Sequence, residues 1–353
     1  MSIMGMREWF RKNRVLMLVI FVLLLVGLLI SYGRFGSSAG YSAADFEAML
    51  TQAREAYNED PTNPENVYYL AQVLSQYAEF MNTGEENREK VQELDDEALV
   101  HYDEYYGILA EQSKTAYQEN KNYGNAAMVA NYLGQRAQVQ SMINGLDGAA
   151  LSSEANNWMI IALGHRQDEI NQELAEKPND PALLADLADS KSALGYYNKL
   201  QNSDYDTAPL YRESLALYLQ AVENSGADVA AETKAGYYTN AGFCANSLGD
   251  KASAEQYLKT AVELAPASYD MNLNYLSFLL NDQRYEEGKA LMEACRDAMS
   301  KEDPNYQNTL DSIESVQALM DAMNNGGETG DNADNGDNGD NGENGENGGN
   351  QNQ

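Results

Sequence analysis

The stretch NSLGDKASAEQYLKTAVELAP, residues 246–266, decides the fold. Within it Ala254, Leu258 and Ala261 fall four and three apart on one helix face, and Pro266 ends the run. An isolated helix gains nothing from the order small, large, small. A helix pressed between neighbours does, because Ala lets backbones approach while Leu fills the space between them. Moving 34 residues on, Gly288, Met292 and Cys295 repeat that order. Upstream, Tyr238, Ala241, Gly242, Ala245, Leu248 and Gly249 read as a preceding helix that closes on a Leu-Gly turn.

Tyr238, Gly242, Gly249, Ala254, Leu258, Ala261 and Pro266 occupy the positions that define a tetratricopeptide repeat (TPR), so residues 235–268 resemble that family. Residues 269–302 are similar but looser, with Tyr285 opening the second helix and the proline displaced to Pro304. Two partial copies, 64–105 and 181–221, start from DPTNPENVYYLAQVL (60–74) and NDPALLADLADSKSALG (179–195). Val67, Leu70, Ala71 and Leu74 match the first helix of one, and Leu184, Leu187, Ala188 and Leu194 that of the other. Their second helices come late, at Ala98, Tyr102 and Tyr105 and at Ser214, Tyr218 and Ala221, which places insertions at 78–91 and 196–207. Residues 111–178 are helical in periodicity with faint repeat marks. The expected fold is all-α: a TPR-like α-solenoid of antiparallel helix pairs over 45–323, preceded by one transmembrane helix and followed by a disordered tail.

Ahead of the repeats, Arg7, Arg11, Lys12 and Arg14 sit in a basic segment, 1–14. VLMLVIFVLLLVGLLI (15–30) follows without a charge, and with Ser31 to Gly33 it reaches the lower limit for spanning a bilayer. The positive-inside rule puts the basic flank in the cytoplasm and everything after 15–33 outside. This makes a single-pass membrane protein with an extracytoplasmic repeat domain on a Gly/Ser-rich tether, 34–44. The rival is a cleaved signal peptide ending near Ser38-Ala39-Gly40. An uncleaved anchor is preferred because the apolar run is long for a signal peptide and the cut lies far beyond it. From 324 to 353 the chain holds Asn, Gly, Asp and Glu and nothing aliphatic larger than Ala, so burial cannot offset its ordering entropy.

A net charge of −32 argues against nucleic acid as a partner, since its phosphates need Lys and Arg. No catalytic constellation stands out. Gly36-Ser37-Ser38-Ala39-Gly40 matches a hydrolase elbow by letter, but lies in the tether instead of between a strand and a helix. His101 and His165 fall in different helices without metal-ligand spacing, and read as surface or interhelix residues. Cys244 and Cys295 fit small packing positions better than a disulfide pair. DNGDNGDNGENGENG (334–348) lacks the apolar and closing acidic residues of calcium loops, and reads as a spacer with weak cation association. No metal, cofactor or catalytic residue is expected. Tyrosine recurs in pairs, at 68–69, 105–106, 196–197 and 237–238, mostly as interhelix packing.

The TPR resemblance implies a concave groove, lined by first helices, that receives another protein or a peptide. The groove positions it carries over are Tyr68, Gln72 and Ser75; Ala185, Asp189 and Ser192; Thr239, Phe243 and Asn246; and Asp270, Leu273 and Ser277. None is Lys or Arg, which departs from the basic clamp by which chaperone-tail-binding TPRs hold a carboxylate. Anchor, tether and repeats together resemble bacterial membrane-anchored TPR proteins that assist envelope assembly or secretion. Two other readings stand beside this scaffold: an envelope enzyme with an atypical site in 111–178, and a cleaved secreted protein that binds a small molecule or glycan through its tyrosines.

Overall fold

A computed structural model describes residues 41–82, 87–143 and 146–326, with side chains as far as 323. The described residues form twelve helices and no strand. They are α1 (Ala43–Glu59), α2 (Pro64–Met81), α3 (Arg88–Glu119), α4 (Tyr123–Met142), α5 (Ala149–Glu176) and α6 (Pro181–Gln201). The remainder are α7 (Ala208–Asn224), α8 (Ala231–Ser247), α9 (Lys251–Leu264), α10 (Tyr269–Asn281), α11 (Tyr285–Ala298) and α12 (Tyr306–Gly326). The expected basic flank, the transmembrane segment 15–33, the tether to residue 40 and the tail beyond 326 lie outside the described residues. Among those described, no helix is long and apolar enough to cross a membrane.

Both expected domain edges move outward. A capping box starts α1 at Ala43: the Asp45 N–H donates to Ser42 Oγ at 3.3 Å, and the Ser42 N–H donates to Asp45 Oδ2 at 2.7 Å. At the other end α12 takes in residues 324–326 of the expected tail.

The chain divides into two compact units. Among the described residues, one holds 41–172 together with 193–207, the other 173–192 together with 208–326. In the first, α1 packs on α2, α2 on α3 and α3 on α4. Phe46 and Leu50 of α1, Leu70, Leu74 and Tyr77 of α2, and Leu94 and Ala98 of α3 close one core. The expected positions Val67, Leu70, Ala71 and Leu74 are all buried. A second core joins Ala110 of α3 to Val129 and Leu133 of α4 and Ala155 of α5.

The expected insertions are largely helix. Residues 78–81 complete α2 and 88–91 open α3, with Phe80, Met81 and Val91 packed against the core of α1–α3. Likewise 196–201 extend α6, and only 202–207 form a loop, where the Asp204 N–H turns back to Asn202 Oδ1 at 3.0 Å. Residues 196–201 carry no Gly or Pro that would break the helix, so α6 continues its periodicity through them, whereas 78–91 contains Gly84 between the end of α2 and the start of α3.

In the second unit Leu184, Leu187 and Ala188 of α6 are buried, as are Ser214, Tyr218 and Ala221 of α7, at their expected places. The α8–α9 and α10–α11 pairs then repeat with a period of 34. Gly249 ends α8 in the left-handed region at φ 79, and Gln283 takes φ 59 at the same place after α10. Matching bonds close the two turns: the Asp250 N–H donates to Ala245 O, and the Arg284 N–H to Leu279 O, each at 2.9 Å. Ala254, Leu258 and Ala261 of α9 are sealed from solvent, as are Met292 and Cys295 of α11.

Candidate functional site

The candidate positions fall on both units, and each unit is a separate case. In the first, Tyr68 is half-buried against Tyr105, ring centroids 4.8 Å apart, and against Tyr102 at 6.0 Å. Gln72 and Ser75, also half-buried, continue the same stretch of α2. Tyr105 in turn meets Tyr106 at 5.1 Å. Burial, with the phenols of Tyr132, Tyr68 and Tyr106 around it, pushes the Tyr105 pKa up to about 12. Beside it, Arg136 Nε donates to Asp103 Oδ1 at 2.9 Å. Tyr68 is therefore a member of an interhelix tyrosine cluster.

In the second unit two positions are corrected. Ala185 is buried in the α6–α7 core, and Thr239 is 3 % exposed. Thr239 donates to Ala235 O at 3.0 Å and touches Met271 Sδ at 3.0 Å. Neither can meet a partner. The family register puts them toward the groove, but the α6–α7 and α8–α10 contacts close over both.

Phe243 has the opposite fate. It is 45 % exposed, although Gly242 and Cys244 on either side of it are buried. Asn246 is exposed one turn later, and Asp270 and Ser277 are exposed on α10. Ser277 donates its hydroxyl back to Leu273 O at 2.9 Å. Leu273 is half-buried beside a cavity of about 300 Å³ between α10 and α12, also lined by Tyr269, Leu276 and Leu319.

Asn240, one turn before Phe243 on α8, links that helix to α6. Asp189 Oδ1 accepts from Asn240 Nδ2 at 3.2 Å and from the Tyr218 hydroxyl. Ser192 is half-buried, its Oγ 3.5 Å from Cys244 Sγ. The two pairings advance together along both helices, so α6 and α8 run in the same direction, as first helices of successive pairs should. Asp189 is exposed as a residue, yet protein atoms crowd its carboxylate. That burial first, and then the charge of Asp186, push its pKa up against the lowering effect of the Tyr218 hydrogen bond. Burial also pushes up the Cys244 and Cys295 thiols, so both stay protonated.

Sequence reasoning named Tyr218 and Tyr237 only as packing positions and passed over Asn240. For Asn240 a signal existed, since it precedes Phe243 by three residues and shares its helix face. The histidines are packing residues. His101 Nδ1 lies 2.9 Å from Glu104 Oε2, and His165 Nε2 lies 2.9 Å from the Tyr117 hydroxyl. Among the described residues no His, Cys, Asp and Glu side chains gather as a metal site would require.

No family profile matches the chain, and no curated protein does. Solved structures that resemble it include yeast Tom70, with TM-score 0.32 and 12% identity over 80% of this chain and 60% of that one. Another is BtubC (BKLC) from P. vanneervenii, with TM-score 0.26 and 16% identity over 82% and 93%. A third is the APC/C hetero-tetramer Cut9-Hcn1, with TM-score 0.31 and 11% identity over 77% and 52%. The chain thus spans about 60% of the Tom70 chain and about half of the Cut9-Hcn1 one. Its own geometry is TPR-like: helix pairs that recur at a period of 34, with small residues at the contacts and matching turns between them.

Proposed function

We propose that the chain is a non-catalytic TPR-like scaffold that takes a protein or peptide partner on the solvent face of α6 and α8. Phe243 carries this reading. A large apolar side chain sits in water on a turn whose adjacent residues are buried, where a polar one would serve the fold equally well. Burying such a ring is worth about 1.5–3 kcal/mol, which this fold recovers only when something covers it. Phe243→Ala should therefore abolish partner capture and leave the melting temperature unchanged. Lost stability with capture intact would return Phe243 to the core and move the search for a binding surface elsewhere.

The same proposal places the scaffold outside the cytoplasmic membrane, anchored through residues 15–33 and serving envelope assembly or secretion. Its support is the uncharged run after a basic flank. Protease added to intact cells should digest the chain beyond Gly33. Protection until lysis would overturn the topology.

A further inference from the structure

On the α6–α8 face the carboxylates Asp180, Asp186 and Asp189 are the charges that act on Tyr237. Asp186 and Asp189 stand one turn apart on α6, while Tyr237, Asn240 and Phe243 line α8. Asn240 and Tyr218 both donate to a single oxygen of Asp189, Oδ1. Among the described residues Oδ2 accepts no hydrogen bond, and Asp189 is exposed as a residue although its carboxylate is crowded. The basic side chains of this unit with defined partners are committed elsewhere. Lys191 pairs with Glu213 at 2.7 Å, Lys234 donates to Gly226 O at 2.9 Å, and Arg284 holds Glu255 and Glu287 at 2.7 Å each. Among the described residues no basic side chain forms an ion pair with Asp189, which is joined through Asn240 to the helix that carries the exposed Phe243 ring.

We infer that this face binds a cationic peptide segment, with a Lys or Arg reaching Asp189 Oδ2 while an apolar or cationic side chain of the segment packs on Phe243. The inference rests on the partner-binding reading above and names that partner's chemistry. An acidic segment would bring like charge against Asp186 and Asp189. A second copy of this chain, at −32, would do the same over a wider area. The Phe243 ring offers a face for cation–π contact with Lys or Arg. Crowding and Asp186 leave Asp189 poorly compensated in the free protein, which is the deficit an incoming cation removes.

The test uses the full chain and three fluorescent peptides of equal length: a Lys/Leu, a Glu/Leu and a Gly/Ser sequence, read by polarisation at moderate salt. Adventitious attraction to the net charge would scarcely notice one carboxylate among 55 acidic residues. The specific face should notice. The Lys/Leu peptide alone is expected to bind, and Asp189→Asn and Phe243→Ala should each weaken it about ten-fold or more, the scale of a hot-spot residue. Phe243→Ala should keep the wild-type melting temperature, and Asp189→Asn should not fall below it.

Loss with Phe243→Ala but not with Asp189→Asn would leave the partner face standing and overturn its cationic preference. Unchanged binding in both would overturn the face itself. Charge-neutral substitutions at Arg7, Arg11, Lys12 and Arg14 should leave the affinity unchanged. A rise would identify this chain's own basic flank as the occupant and overturn the inference.

Discussion

Gly242 is small because Leu258 is large. A Cβ on Gly242 would lie 2.8 Å from Leu258 Cγ and 3.3 Å from Ala254 O, closer than carbon atoms pack. One repeat later the sizes exchange. Leu276 stands in the place of Gly242, and Gly288 in the place of Ala254, leaving room for the Leu276 side chain. A Cβ on Gly288 would meet Leu276 Cδ1 at 2.7 Å, a side-chain end that can turn aside. Gly242→Ala should thus destabilise by about 1–3 kcal/mol through overpacking, and Gly288→Ala by less, as read from urea midpoints. Equal costs would mean that the branch point of Leu258 moves as freely as the tip of Leu276.

Asp189 allows a second residue-scale prediction. The groups that face it are Asp186 from its own helix, Tyr218 from α7, and Tyr237, Asn240 and Cys244 from α8. Its folded pKa is raised, so above its ordinary value near 3.8 the folded state holds the proton longer than the unfolded chain does. Stability from this residue therefore falls as pH rises through that window, and at neutral pH the charged form opposes folding. Asp189→Asn keeps an oxygen for Tyr218 and Asn240 and removes the charge. Its melting temperature at pH 7 should equal or exceed the wild-type value, and its advantage should shrink toward pH 4. A clear loss at pH 7 would show that the charged hydrogen bonds outweigh the desolvation.

At the scale of elements, one device recurs at three helix junctions. Asn66, near the start of α2, donates through Nδ2 to Ala56 O at 2.9 Å and Asp60 O at 3.3 Å, securing the end of α1. Asn125 does the same for the end of α3, donating to Ala116 O at 3.1 Å and Asn120 O at 2.8 Å. Asn272 holds Pro266 O at 3.0 Å and Ser268 O at 2.8 Å after α9. At α1 and α3 the amide adds a donor to a last-turn carbonyl and also reaches the C-cap carbonyl. Both acceptors of Asn272 lie in the turn between α9 and α10, so each amide ties a helix end to the start of the next helix. Asn125→Ala should lower stability by about 1–3 kcal/mol in denaturant melts, with Asn66→Ala similar. No change would mean that water replaces the amide at no cost.

The α3–α4 junction belongs to the region 111–178, whose repeat marks are faint in sequence. Its sign is the asparagine of NKNYGN (120–125), which sits where DPTNPEN (60–66) has its own. The small-large-small order made α8 to α11 legible because those helices touch through side chains of fixed size. A hydrogen bond from one amide to the backbone leaves a single residue as its trace, so this junction was hard to see.

At the scale of the molecule, ending the chain after Gly326 removes seven acidic residues and no aliphatic side chain larger than Ala. The melting temperature of the helical domain should stay within a few degrees of the full-length value, because nothing capable of joining a core is lost. A larger drop would show that the acidic segment docks on the helices. Sequence by itself determined the all-α class, the helix pairs within 235–302, the buried faces of α2, α6 and α7, and the packing places of the two cysteines. Each of these follows from periodicity, which one helix carries along its own length. Tertiary structure alone decided that Thr239 and Ala185 are sealed while Phe243 is open, and that Asp189 shares one oxygen between Tyr218 and Asn240. Those outcomes depend on how closely a neighbouring helix approaches. That distance is set by side chains many residues away, so no local pattern records it.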